Sequence, residues 1–337
     1  MNFYAVNAKI FAMRSKLLKR KDYEYLCSLK TVDEVGVFIA EQPFYSFLMP
    51  AAENGGTHRG ALEQMLAPVI YYAYENIGCF FYEKKYRFFM DRLFERHPHT
   101  FIKLLMCGIR DKNPHTAVFE LSAFINKYIR TDAHKLASAD NLETFVDSLK
   151  KAPFYPMITA AYEENKSIFA IETQLDLYYY LRLKKFAGSL GKKSKAAMDK
   201  LTGEEIDIRN IIWMYRLKFF FGINDARIYT YLIPIHYRLK PSDIRQLAEC
   251  AHEDLFTEKI QSTAYKNIFG DFTKPERKFD LHMQKLLAQT AGKCRDTPAC
   301  AVSFLFDLEI EIKNLTTVIE GVRYGLAAGS ILSQLIC

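Results

Sequence analysis

Two histidines, His97 and His99, lie two residues apart in the stretch "RHPHT", a spacing that a metal site could use. Imidazole nitrogens are common metal ligands, but a zinc site needs three or four protein ligands. The neighbouring sequence holds no HExxH motif and no acidic cluster, and Pro98 separates the two histidines. The pattern therefore favours a surface loop over a metal site. Phosphate-binding and nucleophile motifs are also absent from the sequence, so no cofactor is predicted.

Two acids, Glu172 and Asp176, are four residues apart and would share one face of a helix. Such a pair could act as general acid and base. The alternative is that both acids form ion pairs with basic residues of a neighbouring helix. We favour the alternative because similar acids recur along the chain, whereas one catalytic centre needs only one copy. The sequence therefore predicts a structural protein and not an enzyme.

Basic and aromatic residues are interleaved in "YYYLRLKKF" (178–186) and "MYRLKFFFG" (214–222). In nucleic-acid-binding proteins, such aromatic rings stack on bases and the basic side chains neutralise phosphates. The aromatic residues, however, fall on helical stripes, which favours a core covered by long basic stems. The net charge of +7 on 337 residues is too small to favour nucleic-acid binding. We therefore predict no nucleic-acid partner.

Half of the residues are apolar, and no stretch reaches eighteen uncharged apolar residues, so the sequence predicts no transmembrane span. The seven cysteines contain no CxxC pair. They predict reduced thiols in a cytoplasmic protein.

The chain repeats itself. "EIDIRNI" (205–211) recurs as "EIEIKNL" (309–315), and apolar residues continue each stretch at helical spacing. Glu205 precedes Arg209 by four residues, and Glu309 precedes Lys313 by four, which is the favourable order for an ion pair on a helix. We therefore predict two equivalent helices.

A second sequence pattern occurs three times, in "ALEQMLAPVIYY" (61–72), "AIETQLDLYYYL" (170–181) and "PERKFDLHMQKL" (275–286). It places repeated acids, interpreted as structural, at Glu63, Glu172, Asp176, Glu276 and Asp280. The step of 38 residues from Glu172 to Asn210 equals the step from Glu276 to Asn314.

The same step from Glu63 leads to Phe101, so the first copy has lost the asparagine. We predict three helical repeats at residues 1–100, 101–205 and 206–337, the last with a closing C-terminal helix. Asparagine is a poor helix former. Its recurrence favours hydrogen bonds between helices over simple exposure.

Four stretches together resemble the C subunit of V-type and A-type rotary ATPases, the protein called d in eukaryotic complexes. They are "GEEIDIRNIIWMYRLKFFFG", "DLEIEIKNLTTVIEGVRYG", "IETQLDLYYYLRLKKF" and the opening "YAVNAKIFAMRSKLL". The resemblance covers the whole chain, although residues 76–125 match the family pattern poorly.

The resemblance implies an all-α protein in which three pseudo-repeated bundles form a threefold funnel. It also implies a non-catalytic central-stalk subunit that couples the shaft of the soluble head to the membrane proteolipid ring during proton or sodium transport. Such a subunit would be peripheral on the cytoplasmic face, and the modest positive charge would suit nearby anionic headgroups. The competing interpretations are a free-standing helical-repeat adaptor for proteins or RNA, and a helical enzyme with an unrecognised site.

Polar residues within the otherwise apolar signature helices could face a central cavity or act as struts between helices. These residues are Arg14, Asn210, Arg216, Asn314 and Arg323. If Arg216 faces the cavity, reversing its charge should weaken shaft binding.

Overall fold

The computed structural model describes residues 2–45, 59–111 and 118–337, and every regular element in these ranges is helical. This confirms the predicted all-α class. Along residues 2–111 the helices are α1 (Tyr4–Arg14), α2 (Arg20–Ser28), α3 (Val32–Glu41), α4 (Arg59–Leu66), α5 (Val69–Gly78), α6 (Lys84–Phe94) and α7 (Arg96–Asp111).

The remaining helices include two long ones that carry the repeated motif. In chain order they are α8 (Val118–Ile129), α9 (Ala133–Ala137), α10 (Leu142–Ser148), α11 (Tyr155–Asn165), α12 (Ile168–Gly188), α13 (Lys192–Tyr215), α14 (Asp225–Tyr231), α15 (Pro241–Ala248), α16 (Glu253–Ile260), α17 (Pro275–Lys293), α18 (Ala299–Arg323) and α19 (Ala328–Gln334). A π-helical turn, Arg216–Phe220, continues α13.

The two copies of the repeated motif form the middle of α13 and of α18, as predicted. Ile211 and its counterpart Leu315 are fully buried. Ile208 is also fully buried, whereas its counterpart Ile312 is half-buried and lines a cavity. An apolar stripe at a period of 3.6 residues needs a neighbouring helix to cover it. α17 packs along α18, and α12 and α17 pack along α13, so the long helices lie at the centre of the core.

The stretch "RHPHT" forms the first turn of α7, so the prediction of a surface loop is wrong. Pro98 is the third residue of this helix. The first four N–H groups of a helix have no intrahelical acceptor, so a proline there loses no hydrogen bond. His99 is buried, and its ring centroid lies 5.1 Å from that of Phe154. The helix therefore turns both histidines inward.

Short helices fold back onto the long ones where a glycine allows close approach. A Cβ atom on Gly321 of α18 would lie 2.6 Å from Cγ1 of Ile331 in α19, closer than real Cβ contacts occur. Gly203 of α13 meets Tyr237 in the same way, with a Cβ-to-Cγ distance of 2.5 Å. Both glycines therefore let a following segment pack against its own long helix.

Candidate partner-binding cavity

A cavity of about 610 Å³ opens between α7, α12, α13 and α18. Its walls combine aliphatic and aromatic side chains with four basic residues. The lining residues are Leu66, Ala67, Ile70, Tyr71, Arg96, His97, His99, Thr100, Phe101, Lys103, Leu104, Asp176, Tyr179, Tyr180, Glu205, Arg209, Trp213, Glu309, Ile312 and Lys313.

Four residues at the inner limit of the cavity form an arginine–carboxylate ion pair and a histidine–carboxylate contact, and we call them the floor: Arg96, His97, Glu205 and Glu309. Arg96 Nη2 lies 3.2 Å from Glu205 Oε2, and His97 Nε2 lies 3.2 Å from Glu309 Oε1. Arg96 precedes Glu205 by 109 residues, the same step that separates Phe101 from Asn210. Equivalent positions of α7 and α13 therefore supply opposite charges and attract one another.

The floor carboxylates stay ionised although Glu205 is buried and Glu309 is half-buried. Burial opposes the charge on Glu205, but Arg96 and Arg209 outweigh it and hold its pKa below the usual range. Burial likewise opposes the charge on Glu309, yet His97 and the nearby cations lower its pKa to about 2. The predicted pair of Glu205 and Arg209 is confirmed, at 3.2 Å. The floor thus places each carboxylate against a nitrogen donor of α7, and Arg96 compensates the charge of Glu205.

Asp207 of α13 is fully buried and accepts four hydrogen bonds. The backbone N–H groups of Tyr237, Arg238 and Leu239 donate to it at 3.1, 2.6 and 2.8 Å. The Tyr265 hydroxyl donates to it at 2.6 Å. Because successive amides of one loop converge on it, this carboxylate fixes the loop against the helix.

Glu311 of α18 stands at the equivalent position and is also buried. It accepts a hydrogen bond from the Tyr45 hydroxyl at 2.6 Å and one from the Leu18 N–H at 2.8 Å. Burial raises the pKa of Glu311 to about 7, and nearby Asp22 and Asp307 raise it too, whereas the two hydrogen-bond donors lower it by less. This carboxyl joins the first helices of the chain to the last long helix.

The two repeated asparagines bind backbone in the same way. The Asn210 side chain accepts from the Ile233 N–H at 2.9 Å and donates to the Ile233 carbonyl at 3.0 Å. Asn314 makes the same pair of bonds with Ile336, both at 2.9 Å. Each amide thus holds the residue that follows a short helix, where we had expected a bond between two helices.

The repeated acids lie close to basic side chains of nearby helices. Lys103 Nζ lies 2.6 Å from Asp176 Oδ1, and Lys313 Nζ lies 3.0 Å from both carboxylate oxygens of Asp280. Lys313 therefore pairs across to α17 and not with Glu309 on its own helix.

Three other acids complete the repeated set. Glu276 pairs with Arg216. Glu172 is half-buried, and burial raises its pKa. Glu63 lies in α4, but its side chain falls outside the described residues.

None of the five polar residues proposed for a cavity or for struts lines this cavity. Arg14 connects α1 to α18, at 2.7 Å from Asp307 and 3.0 Å from Ser303 Oγ. Arg216 and Arg323 are exposed and pair with Glu276 and Glu320. The sequence signal for the actual floor was the 109-residue step, which aligns Arg96 with Glu205.

Within the described ranges, no helix is long and apolar enough to cross a bilayer.

The fold and the cavity define an all-helical scaffold whose charged residues are engaged in fixing helices to one another. The family model described as ATP synthase (C/AC39) subunit matches residues 6–334, which is nearly the whole chain. The chain therefore belongs to this family, and it is accordingly a non-catalytic stalk subunit of a rotary ATPase.

Curated relatives agree with the family. The C subunit of the A-type ATP synthase of Methanosarcina mazei is 23% identical over 99% of this chain and 92% of its own length. Its counterpart in Methanosarcina barkeri is 22% identical over the same shares. The counterpart in Methanosphaera stadtmanae is 26% identical over 62% of this chain and 57% of its own length.

Proposed function

We propose that this chain is the socket between the rotating shaft of the ATPase head and the proteolipid ring, on the cytoplasmic face of the membrane. Three helical bundles, at residues 1–100, 101–205 and 206–337, would form a threefold funnel around the cavity. The cavity would receive the shaft, and the opposite end would rest on the ring. Support comes from the family, the cavity and the equivalent positions that meet at its floor.

The floor is the observation that carries this proposal. The Arg96–Glu205 and His97–Glu309 pairs connect α7 to both long helices at one level. A socket that transmits torque must not deform, and removing one partner of a buried pair costs about 3 to 5 kcal/mol. The three helices are therefore fixed to one another where a shaft would press on them.

The cavity wall also suits a protein partner better than a phosphate. Lys103, Arg209 and Lys313 each pair with a carboxylate of the chain itself, which reduces the attraction for an added anion. Phe101, Leu104 and Trp213 offer apolar surface beside them. Aromatic and aliphatic anchors surrounded by satisfied charges are typical of protein interfaces.

The direct test is to capture the tagged chain from solubilised membranes and identify the proteins bound to it. We expect shaft subunits of the ATPase head and the proteolipid ring. Capture of unrelated soluble proteins or of RNA, without ATPase subunits, would support the adaptor alternative and contradict the proposal.

A cavity variant refines this test. Leu104 lines the cavity and is 47% exposed, whereas Leu181 on α12 is 44% exposed and lies outside it. Leu104→Glu should weaken capture of the shaft and leave capture of the ring intact. The matched control Leu181→Glu should capture both.

A further inference from the structure

Four segments that are far apart in sequence meet at one end of the molecule, which we call the basic end: residues 2–9, 80–86, 188–195 and 291–297. The rings of Phe3 and Tyr86 lie 5.1 Å apart. Ser194 Oγ lies 3.5 Å from the Tyr86 hydroxyl. These contacts join the first three segments.

The fourth segment closes the set. Lys193 Nζ lies 2.7 Å from the Asp296 carboxylate, and Asn7 Nδ2 donates to the Arg295 carbonyl at 2.6 Å. The four segments thus form one continuous surface, although each belongs to a different part of the chain.

This surface holds most of the net charge of the protein. The four segments contain eight basic and two acidic residues, a formal charge of +6, against +7 for the whole chain. Asp199, just beyond the third segment, pairs with Lys195 at 2.8 Å, and counting it leaves +5. The other residues therefore contribute 38 basic and 37 acidic groups, which nearly balance. Such a one-sided distribution attracts anionic surfaces and orients the molecule toward them.

The basic end lies away from the cavity. α13 begins at Lys192 and reaches the floor at Glu205, which at 1.5 Å per residue is about 20 Å. The cavity residues of α13, Arg209 and Trp213, lie further along the helix in the same direction. A shaft in the cavity would therefore leave the basic end free to face the membrane.

We propose that the basic end binds anionic lipid headgroups. Seven of its eight basic residues are lysines, whose ammonium groups act as point charges. Sites that bind protein carboxylates prefer arginine, because its guanidinium group can donate to both carboxylate oxygens. Tyr4 and Tyr82 are 82% and 67% exposed beside these lysines. Exposed tyrosine next to lysine is typical of the headgroup region of a bilayer.

This inference rests on the proposed function only for its orientation, with the basic end toward the ring. The lipid surface would then surround the ring and contact the lysines as the chain turns. Long-range attraction to headgroups needs no fixed register, which suits a rotating part.

Flotation of the purified full chain tests the inference, with vesicles of phosphatidylcholine alone and of phosphatidylcholine mixed with phosphatidylglycerol. We expect binding only to the mixed vesicles, and less of it as salt increases. The triple variant Lys84→Gln, Lys192→Gln, Lys293→Gln should bind about a hundredfold more weakly, at about fivefold for each lysine.

The matched control is Lys151→Gln, Lys240→Gln, Lys266→Gln, which removes the same charge from exposed positions outside the basic end. It should bind like the natural protein. Both triple variants change exposed side chains and should melt at the natural temperature.

Equal binding to neutral and mixed vesicles, or equal loss in both triple variants, would overturn the inference. Binding of lipid-free proteolipid ring without any effect of anionic vesicles would also overturn it and assign the basic end to acidic protein loops. A chain that floats as expected but captures no ATPase subunit would retain this inference and reject the proposed function.

Discussion

Asp207 of α13 and Glu311 of α18 occupy equivalent positions of the repeated motif, and each binds another segment of the chain. We call these two contacts the α13 junction and the α18 junction. They differ in the number of hydrogen bonds that the carboxyl group accepts. Asp207 of α13 accepts four hydrogen bonds, three of them from successive backbone amides. Glu311 of α18 accepts bonds from Tyr45 and Leu18 only. Both side chains are buried, and Asp207 has two more hydrogen-bond donors than Glu311.

The difference follows from what each junction joins. Asp207 binds a loop that comes shortly after its own helix, so the chain can place several amides around one short carboxylate. Glu311 closes the first segments onto the last long helix, some 266 residues from Tyr45. The longer side chain reaches two donors across that gap, and burial then raises its pKa to about 7. The closing junction therefore contains a carboxyl group whose pKa in the folded protein lies well above its usual value.

The largest expected effect is that of Asp207→Asn. An amide has one acceptor oxygen, and its NH2 group would face backbone N–H donors that it cannot bind. We expect a loss of about 4 kcal/mol in the free energy of unfolding, measured by urea denaturation. A loss below about 1 kcal/mol would show that the four hydrogen bonds of Asp207 do not hold its loop as described.

Glu311→Gln should sharpen the comparison through pH. Because the folded pKa is about 7 against 4.5 for the free group, ionisation costs the folded state. Stability should fall as pH rises from about 4.5 and stay low above about 7. The loss is about 3 kcal/mol, at 1.36 kcal/mol per pKa unit. Glutamine should abolish this fall, so the stability of the variant relative to the natural protein should increase as pH rises from 5 to 8.

Denaturation midpoints of both proteins between pH 5 and pH 8 measure this effect. Burial also raises the pKa of Glu95 to about 7, but that group contributes equally to both proteins. The difference between them therefore isolates Glu311. Parallel pH curves would show that the closing junction does not titrate in this range.

The asparagines should behave alike where the acids differ. Asn210→Ala and Asn314→Ala each leave one backbone N–H and one carbonyl unpaired at Ile233 or Ile336. We expect each to cost about 2 kcal/mol in unfolding free energy. Losses that differ from each other by more than about 1 kcal/mol would mean that the two junctions differ beyond their carboxyl groups.

The smallest effect is expected at the surface. Arg323 lies 3.7 Å from Glu320, and its side chain is 44% exposed. Arg323→Ala should change the unfolding free energy by less than about 0.5 kcal/mol. A larger loss would assign this exposed residue a structural role like that of the buried acids and asparagines of α13 and α18.

Periodicity and repetition predicted the helices and the recurrence of the asparagines, because both are local properties of the sequence. Partners far apart in the chain could not be predicted in this way. The tyrosines that donate to the two carboxyl groups, Tyr45 and Tyr265, do occupy similar sequence positions. Tyr45 follows the helix N-cap Thr31 by 14 residues, and Tyr265 follows the N-cap His252 by 13. The inward turn of His97 was hidden by Pro98, since proline is typical of loops as well as of a first helical turn.

The central claim is that the chain couples rotation by contact and performs no chemistry. Membrane vesicles carrying Leu104→Glu or Leu181→Glu should be compared for ATP hydrolysed and ions transported in the same preparation. We predict that Leu104→Glu lowers the ions moved per ATP while hydrolysis continues, and that Leu181→Glu changes neither. Unchanged ion transport per ATP in Leu104→Glu, or loss of hydrolysis in the isolated soluble head when this chain is removed, would contradict the account.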